Sequence, residues 1–377
     1  MNELQEAQKN LLNKERYLSE YATKSIDAKR LKEEQEDIRP PYFRDTDRII
    51  YSMSYTRYLN KTQVYTNSLN DHVSRRITHV QLVSKIGRTI GRSLNLNEDL
   101  IEAIALSHDI GHTPLGHAGE SIINKLTKKE LGEYFAHNVQ GTRYYMNIAK
   151  DGTGLNLTLQ VLDGILMHNG EILCSVYKPQ KKTEAEFLRE YQEAYHDLEK
   201  SKTYRPMTLE GCVVRISDII GYIGKDIEDA IMLGKLERKQ IPPSITKVLG
   251  NTNKDIVNTL VLDIIKESLN KPYIKMSDEV YNALNALKDF NYQYIYSKAL
   301  SKEDLDYYEK GINNLYELYL NDINTSNKDS IIYKVFLNHQ AKEYLQTTTT
   351  KRQVIDFIAG MTDDFLIREI EKNKSIF

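Results

Sequence analysis

Six of the nine histidines, His72, His79, His108, His112, His117 and His137, fall between residues 72 and 137. Imidazole combined with carboxylate is a donor set that suits Zn, Fe, Mn and related divalent ions, and helical proteins gather such donors from several helices into one core. His108 and Asp109 stand side by side at the end of the apolar run ALSHD, where two polar groups are costly to bury without a partner or a cation. A metal ion supplies that partner. Neighbours on a helix point about 100° apart, so both reach one ion only if it sits near the helix end, and Gly111 makes that opening. Asp218 lies in equally apolar text, VVRISDIIGYI, where an aspartate is either capped by local hydrogen bonds or a ligand. A cation in such a cluster acidifies bound water.

The elements that must position these groups read as helices, because apolar residues recur at helical spacing and proline is scarce at 8. In HVQLVSKIGRTIGRSL, Val80, Val83, Ile86 and Ile90 step by three and four, and Asn95 to Asn97 break the run. Asn97 is placed to cap the next helix, whose acids Glu98 and Asp99 suit its N-terminal dipole and which runs through LIEAIALSHD to Gly111. HTPLGHAGE, with Pro114 and Gly116, reads as a shaped loop entering another helix near Glu120. Segment 46 to 62 reads as a helix with Ile49, Ile50, Met53 and Tyr58 inward. The charged stretch 178 to 206 reads as a solvent-facing helix ahead of the core helix VVRISDIIGYIGKDIEDAI. On one continuous helix, Asp218, Tyr222 and Asp226 share a face.

This gives three regions: a charged N-terminal helical arm over 1–38, a catalytic core over 39–235, and a C-terminal helical region over 236–377 that completes the pocket and supplies oligomer contacts. The net charge of -2 makes no demand for nucleic acid or an anionic membrane. Two cysteines are too few for a disulfide framework or a thiolate zinc site and fit a reducing compartment. No apolar run reaches the roughly 18 residues of a membrane span, so a cytoplasmic protein is expected. No GxxxxGK[ST] loop is present, which argues against P-loop phosphoryl transfer.

His79, the doublet His108-Asp109 and the distant Asp218 resemble the H...HD...D pattern of the HD-domain phosphohydrolase superfamily. More specific is the surrounding text. FRDTDRIIYS, KTQV, DHVSRRITHV, EAIALSHDIGHTPLGHAGE, HNVQ, GLNLT, RISDIIGYIGKDIED and IAGMTD are similar, in order, to the deoxyguanosine triphosphate triphosphohydrolase family. The similarity spans about 39 to 230 and resumes near 353 to 365. It implies an all-α fold, an HD-domain helical bundle with additional C-terminal helices.

The same resemblance implies one divalent cation (Mn, Mg, Fe, Co or Zn) on His79, His108, Asp109 and Asp218. It gives His117 as the catalytic histidine, assisted by Glu120, whose plainer role is a helix N-terminal acid. It places Gln63 near the sugar, Arg76, His112 and His137 at the phosphates, and Tyr222 with Asp226 at the deoxyribose. Core packing is the alternative for Tyr222, and a surface ion pair for Asp226. Asn138 and Gln140 either assist or hydrogen-bond backbone, and the choice between Asp363 and Asp364 near the pocket is open. The implied reaction converts a deoxynucleoside triphosphate into a deoxynucleoside and tripolyphosphate. Alternatives are an HD-type phosphatase or phosphodiesterase on another nucleotide, or a nucleotide-sensing regulatory protein. The implied partners are the dNTP substrate, an allosteric nucleotide and an even-numbered homo-oligomer, tetramer or hexamer; single-stranded DNA binding stays open, and no membrane is expected.

Overall fold

The computed structural model describes residues 3–35, 37–66, 70, 72–169 and 172–374. Helices dominate, and the one sheet among the described residues pairs Val176–Tyr177 antiparallel with Ile274–Lys275. The expected all-α bundle is therefore found. Seven helices carry or abut the site: α1 (Arg76–Ser93), α2 (Glu98–Ser107), α3 (Gly116–Leu131), α4 (His137–Arg143), α5 (Leu159–Met167), α6 (Leu209–Ile223) and α7 (Lys225–Met232). Beyond them, α8 (Asp278–Tyr294), α9 (Lys302–Asn324), α10 (Thr350–Ala359) and α11 (Asp363–Asn373) close the molecule.

Helix α1 buries the expected stripe, Val80, Val83, Ile86 and Ile90, against α2 and α6. The Asn97 side chain caps α2 by accepting from the Asp99 and Leu100 amides, as its residue type suggested. The α-helix stops at Ser107, and His108–Gly111 continues as a tightened 3-10 turn. A 3-10 turn advances about 120° per residue, so side chains on this turn leave it in directions that an α-helix does not provide. Gly111 permits α4 to dock there, since a Cβ on it would collide with His137 O and Gly141 N.

Among the described residues two apolar clusters hold the fold. The larger is built on α1, α2, α5 and α6 and extends to Ile295. The smaller joins Leu115, Ile122, Ile123 and Leu126 of α3 and its approach to Tyr308, Ile312, Leu315, Ile358 and Leu366 of the C-terminal helices. The helix that begins beside His117 is thus anchored in a different cluster from the helices that carry His79 and Asp218.

Several expectations need correction. The single helix over 46 to 62 is two pieces, Pro41–Ile50 and a 3-10 helix Tyr55–Asn60, and the break between them leaves Ile50 45% and Met53 90% exposed while Ile49 and Tyr58 are buried. The N-terminal region is helical over Glu3–Leu12 and then makes two 3-10 turns. It is fastened by Thr23, whose amide and hydroxyl donate to the two Glu210 carboxylate oxygens at 2.9 and 2.8 Å, and by Arg30 on Asp45 at 2.6 Å. The insert before α6 is not wholly solvent-facing: Phe187, Glu190 and Tyr191 are buried, and Lys182 is enclosed between Asp163 and Glu190 at 2.8 and 2.7 Å. Among the described residues no helix is long and apolar enough to cross a membrane.

Candidate metal centre and active site

His79, in the first turn of α1, and Asp218, on α6, meet because Gly221 lets the two helices close: a Cβ there would lie 2.9 Å from Val83 Cγ2 and 3.5 Å from His79 Cε1. His79 Nε2 is 2.9 Å from Asp218 Oδ1 and 3.7 Å from Asp109 Oδ2. His108 Nε2 is 3.4 Å from Asp109 Oδ1 and 3.6 Å from Asp218 Oδ1. All four residues are buried. His108 Nδ1 donates to Ala105 O at 2.7 Å, which fixes the tautomer and turns the Nε2 lone pair inward. That Nε2 is shut off from solvent and makes no hydrogen bond. A buried orphan acceptor facing two carboxylates is what a cation seat requires, and donor atoms of His79, His108 and Asp109 all lie within 4.8 Å of one another. The donor set fits a divalent ion.

The electrostatics agree with that fit. Burial alone would raise the Asp109 carboxyl, but the neighbouring His108 and His112 imidazoles and the Arg76 guanidinium hold it well below its usual value. Asp218 likewise overcomes burial and is held down by His108 and His79. Both stay acceptors.

On the adjoining side Arg76 Nη1 donates to Asp109 Oδ2 at 2.6 Å, and His112 Nε2 is 3.2 Å from Asp109 Oδ1. The His112 ring stacks on His137 with centroids 3.9 Å apart. Glu120 serves two imidazoles: it accepts from the His137 amide at 2.7 Å and faces His137 Nδ1 at 3.0 Å, while His117 Nδ1 is 3.5 Å away. Burial would raise the Glu120 carboxyl, yet His137 and His117 hold it well below its ordinary range. The His117 side chain is 59% exposed, the accessible member of the group.

The remaining candidates divide. Gln63 borders the loop after His112, its backbone oxygen 3.5 Å from where a Gly116 Cβ would stand, and its Oε1 is enclosed without a hydrogen bond. Tyr222 is half-buried, its ring centroid 6.4 Å from that of His79. Asp226 is buried, so it is not a surface ion pair, and it accepts from Tyr296 Oη at 2.9 Å. Burial pushes its carboxyl up to about 7 against the Tyr296 hydrogen bond. The single helix expected to align Asp218, Tyr222 and Asp226 ends at Ile223, and Asp226 sits on α7 after the Gly224 junction. Asn138 donates to Leu166 O at 2.6 Å and so struts α4 against α5. Gln140 donates to Asp356 Oδ1 at 3.0 Å.

Two residues at the site escaped the sequence reading. His168, at the end of α5, places Nε2 3.1 Å from His137 Nε2 and sets Nδ1 2.6 Å from Ile165 O. Burial, with His108 and His137 nearby, depresses its pKa to about 3. Its signal was present, since it ends an apolar helix as His108 does, but it lies outside the 72 to 137 cluster. Lys61 is fully buried and its ammonium reaches His112 O and Ala359 O. A separate cavity of about 1040 Å³, lined by Arg48, Arg57, Tyr144, Asp356 and Arg368 among others, contains none of the four expected ligands.

Residues 76–222 match the HD domain family, and residues 274–372 match the phosphohydrolase-associated domain. A deoxyguanosinetriphosphate triphosphohydrolase-like protein of Clostridium tetani is 38% identical over 92% of this chain and 89% of its own length. Proteins of the same name from Caldanaerobacter subterraneus and Desulfatibacillum aliphaticivorans are 36% and 34% identical, over 96% and 94% of this chain and 92% and 94% of theirs. With this geometry and this similarity along nearly its whole length, the chain belongs to the deoxyguanosinetriphosphate triphosphohydrolase-like family and is an HD-domain phosphohydrolase.

Proposed function

We propose that the chain hydrolyses deoxynucleoside triphosphates to deoxynucleoside and tripolyphosphate, with one divalent cation on His79, His108, Asp109 and Asp218. The observation that carries the reading is the orphan His108 Nε2 among buried carboxylates, beside a row of basic groups, Arg76, His112 and His137. When bound, the cation supplies charge to a phosphate oxygen and acidity to water. Arg76 neutralises charge on the polyphosphate, while His112, which burial and Arg76 hold uncharged, and His137 offer it hydrogen bonds. His117, exposed and backed by Glu120, moves the proton to or from the oxygen at the α-phosphorus. Asp226 and Tyr222 face the deoxyribose with Gln63, and the half-protonated Asp226 near neutral pH has both donor and acceptor character for a hydroxyl. The names of the relatives point to the same substrate class.

The cation is Mn, Mg, Fe, Co or Zn, all of which accept His and carboxylate ligands. The protein works as an even-numbered homo-oligomer in the cytoplasm, and its turnover responds to a second nucleotide. The cavity beside Tyr144, where Arg48, Arg57 and Arg368 stand among the acids Glu33, Glu34, Asp151 and Asp356, has the room for that effector. The experiment is to incubate protein with each deoxynucleotide, singly and in pairs, with Mn or Mg, and to separate products by chromatography. Deoxynucleoside with tripolyphosphate supports the reading; inorganic phosphate or pyrophosphate instead identifies an HD-type phosphatase or phosphodiesterase. Nucleotide binding without any product would make the chain a sensor.

A further inference from the structure

The carboxylate of Asp363 ties together three segments at the candidate site. Its Oδ1 accepts from the Leu115 amide at 3.0 Å, and its Oδ2 accepts from the Thr62 amide and hydroxyl at 3.1 and 2.6 Å. These partners are remote, Leu115 and Asp363 standing 248 positions apart in the chain. Leu115 has φ +65°, in the left-handed region that a residue with a Cβ rarely adopts, and Gly116 follows at +56°. This turn delivers the chain into α3 so that His117 and Glu120 stand beside His112 and His137. A non-glycine residue in that conformation persists only where its surroundings over-determine it, and the Asp363 hydrogen bond is one such constraint.

The other carboxylate oxygen holds the segment leading to Gln63. Thr62 bridges Arg75, and the Arg76 amide donates to Lys61 O at 3.1 Å, so the same anchor reaches the first turn of α1. Asp363 is buried, whereas Asp364 is exposed. Nor are these hydrogen bonds spent on capping α11, because the Thr362 side chain does that by accepting from the Phe365 amide. The carboxylate is committed wholly to elements outside its own helix.

We propose that Asp363 is a positioning residue: it locks the Leu115–Gly116 turn and thereby sets where His117 and Glu120 stand relative to the cation seat. It touches neither the four ligands nor the polyphosphate groups. The inference rests on the role assigned to His117 under the proposed function. It makes the C-terminal helices part of the reaction's alignment and not only of the molecule's stability.

The test compares full-length Asp363→Ala, Asp363→Asn and Tyr319→Phe proteins. The last removes a buried hydrogen bond to Glu369, 2.8 Å long, in the same C-terminal helices without touching the loop. Metal content, Tm, amide exchange over residues 112–120, and kcat and KM for each deoxynucleotide are measured. Asp363→Ala is expected to quicken exchange over 112–120 and to lower kcat on the order of 10²-fold, with metal content and KM held within about two-fold. Asp363→Asn keeps one acceptor oxygen and recovers part of kcat; it also serves if the alanine variant does not fold. Tyr319→Phe lowers Tm with neither effect. Unchanged exchange over 112–120, or a kcat loss in Tyr319→Phe equal to that of Asp363→Ala, overturns the proposal. Should the wild-type protein turn over no nucleotide, the functional reading fails on that result alone. The exchange comparison then decides on Asp363 by itself, faster exchange upholding the clamp and unchanged exchange removing it.

Discussion

His79 Nε2 and Asp218 Oδ1 lie 2.9 Å apart although 139 residues separate them in the chain. That closeness joins the first turn of α1 to the middle of α6 and brings a third helix end, His108-Asp109, into the same buried space.

Removing one member of that pair should empty the seat. Asp218→Ala is expected to reduce bound metal from one ion per chain to about a tenth or less, the loss following from a missing charged ligand. A ligand present at about 100 times its dissociation constant stabilises the folded state by about 2.7 kcal/mol, so chelation should lower the Tm of the wild-type protein. In Asp218→Ala the chelator should leave Tm where it was. Elemental analysis with calorimetry measures both, and a variant that retains a full equivalent of metal would refute the ligand assignment.

His117 calls for the opposite result. Its side chain is 59% exposed and outside the ligand set, so His117→Ala should keep its metal and its Tm. Losing the proton-transfer group should lower kcat by roughly 10²- to 10⁴-fold. Steady-state kinetics beside elemental analysis separates the two effects, and a kcat within a few-fold of wild type would return the role to another histidine.

Asp226 predicts a pH dependence of stability. Its folded pKa is raised to about 7, chiefly by burial. A carboxyl raised above its unfolded value of about 3.9 imposes no penalty below that pH, an increasing one as pH rises, and the full one above the folded pKa. A rise of roughly three units corresponds to about 4 kcal/mol. Asp226→Asn keeps one acceptor oxygen for Tyr296 at every pH and carries no charge to bury. Its Tm relative to wild type should therefore improve from pH 5 to about pH 7 and then level off, as followed by thermal melts. A flat difference across that range would mean that Asp226 does not titrate there.

The arginine-lined cavity makes a separate prediction about activation. Arg368 is exposed at its edge, and Arg368→Glu reverses the charge offered to a polyphosphate. The stimulation of one deoxynucleotide's hydrolysis by a second should fall about ten-fold or more in this variant, a loss of order 1.4 kcal/mol in effector binding. Rates with single and paired nucleotides measure it; undiminished stimulation would place the effector elsewhere.

The proposed ligands stand out in the sequence for a physical reason. His108, Asp109 and Asp218 interrupt apolar helices, and such interruptions are expensive unless something repays the desolvation. The helical stripe of α1 and the Asn97 cap were readable because periodicity and capping are local. What could not be read depends on pairings across the chain. Asp363 and Asp364 are the same residue type side by side, and only the position of α11 against Leu115 and Thr62 separates them. The Gly224 junction divides a run whose apolar spacing continues on both sides, so the helix end at Ile223 leaves no mark in the sequence. Asn138 and His168 likewise take their roles from the packing of α4 on α5, two helices whose meeting leaves no mark in either segment alone.

One carboxylate far from the chemistry has a further consequence. Glu210 is buried at the start of α6, where burial raises its pKa against hydrogen bonds from Thr23 and the Asn97 amide. A chain shortened from its front beyond Thr23 would take two hydrogen bonds from that buried acid and leave it the Asn97 amide, a penalty of about 1–3 kcal/mol. The damage would begin about two helical turns from Asp218, on the same rod. The leading segment, which has no ligand of its own, is in this sense the far strut of the cation seat.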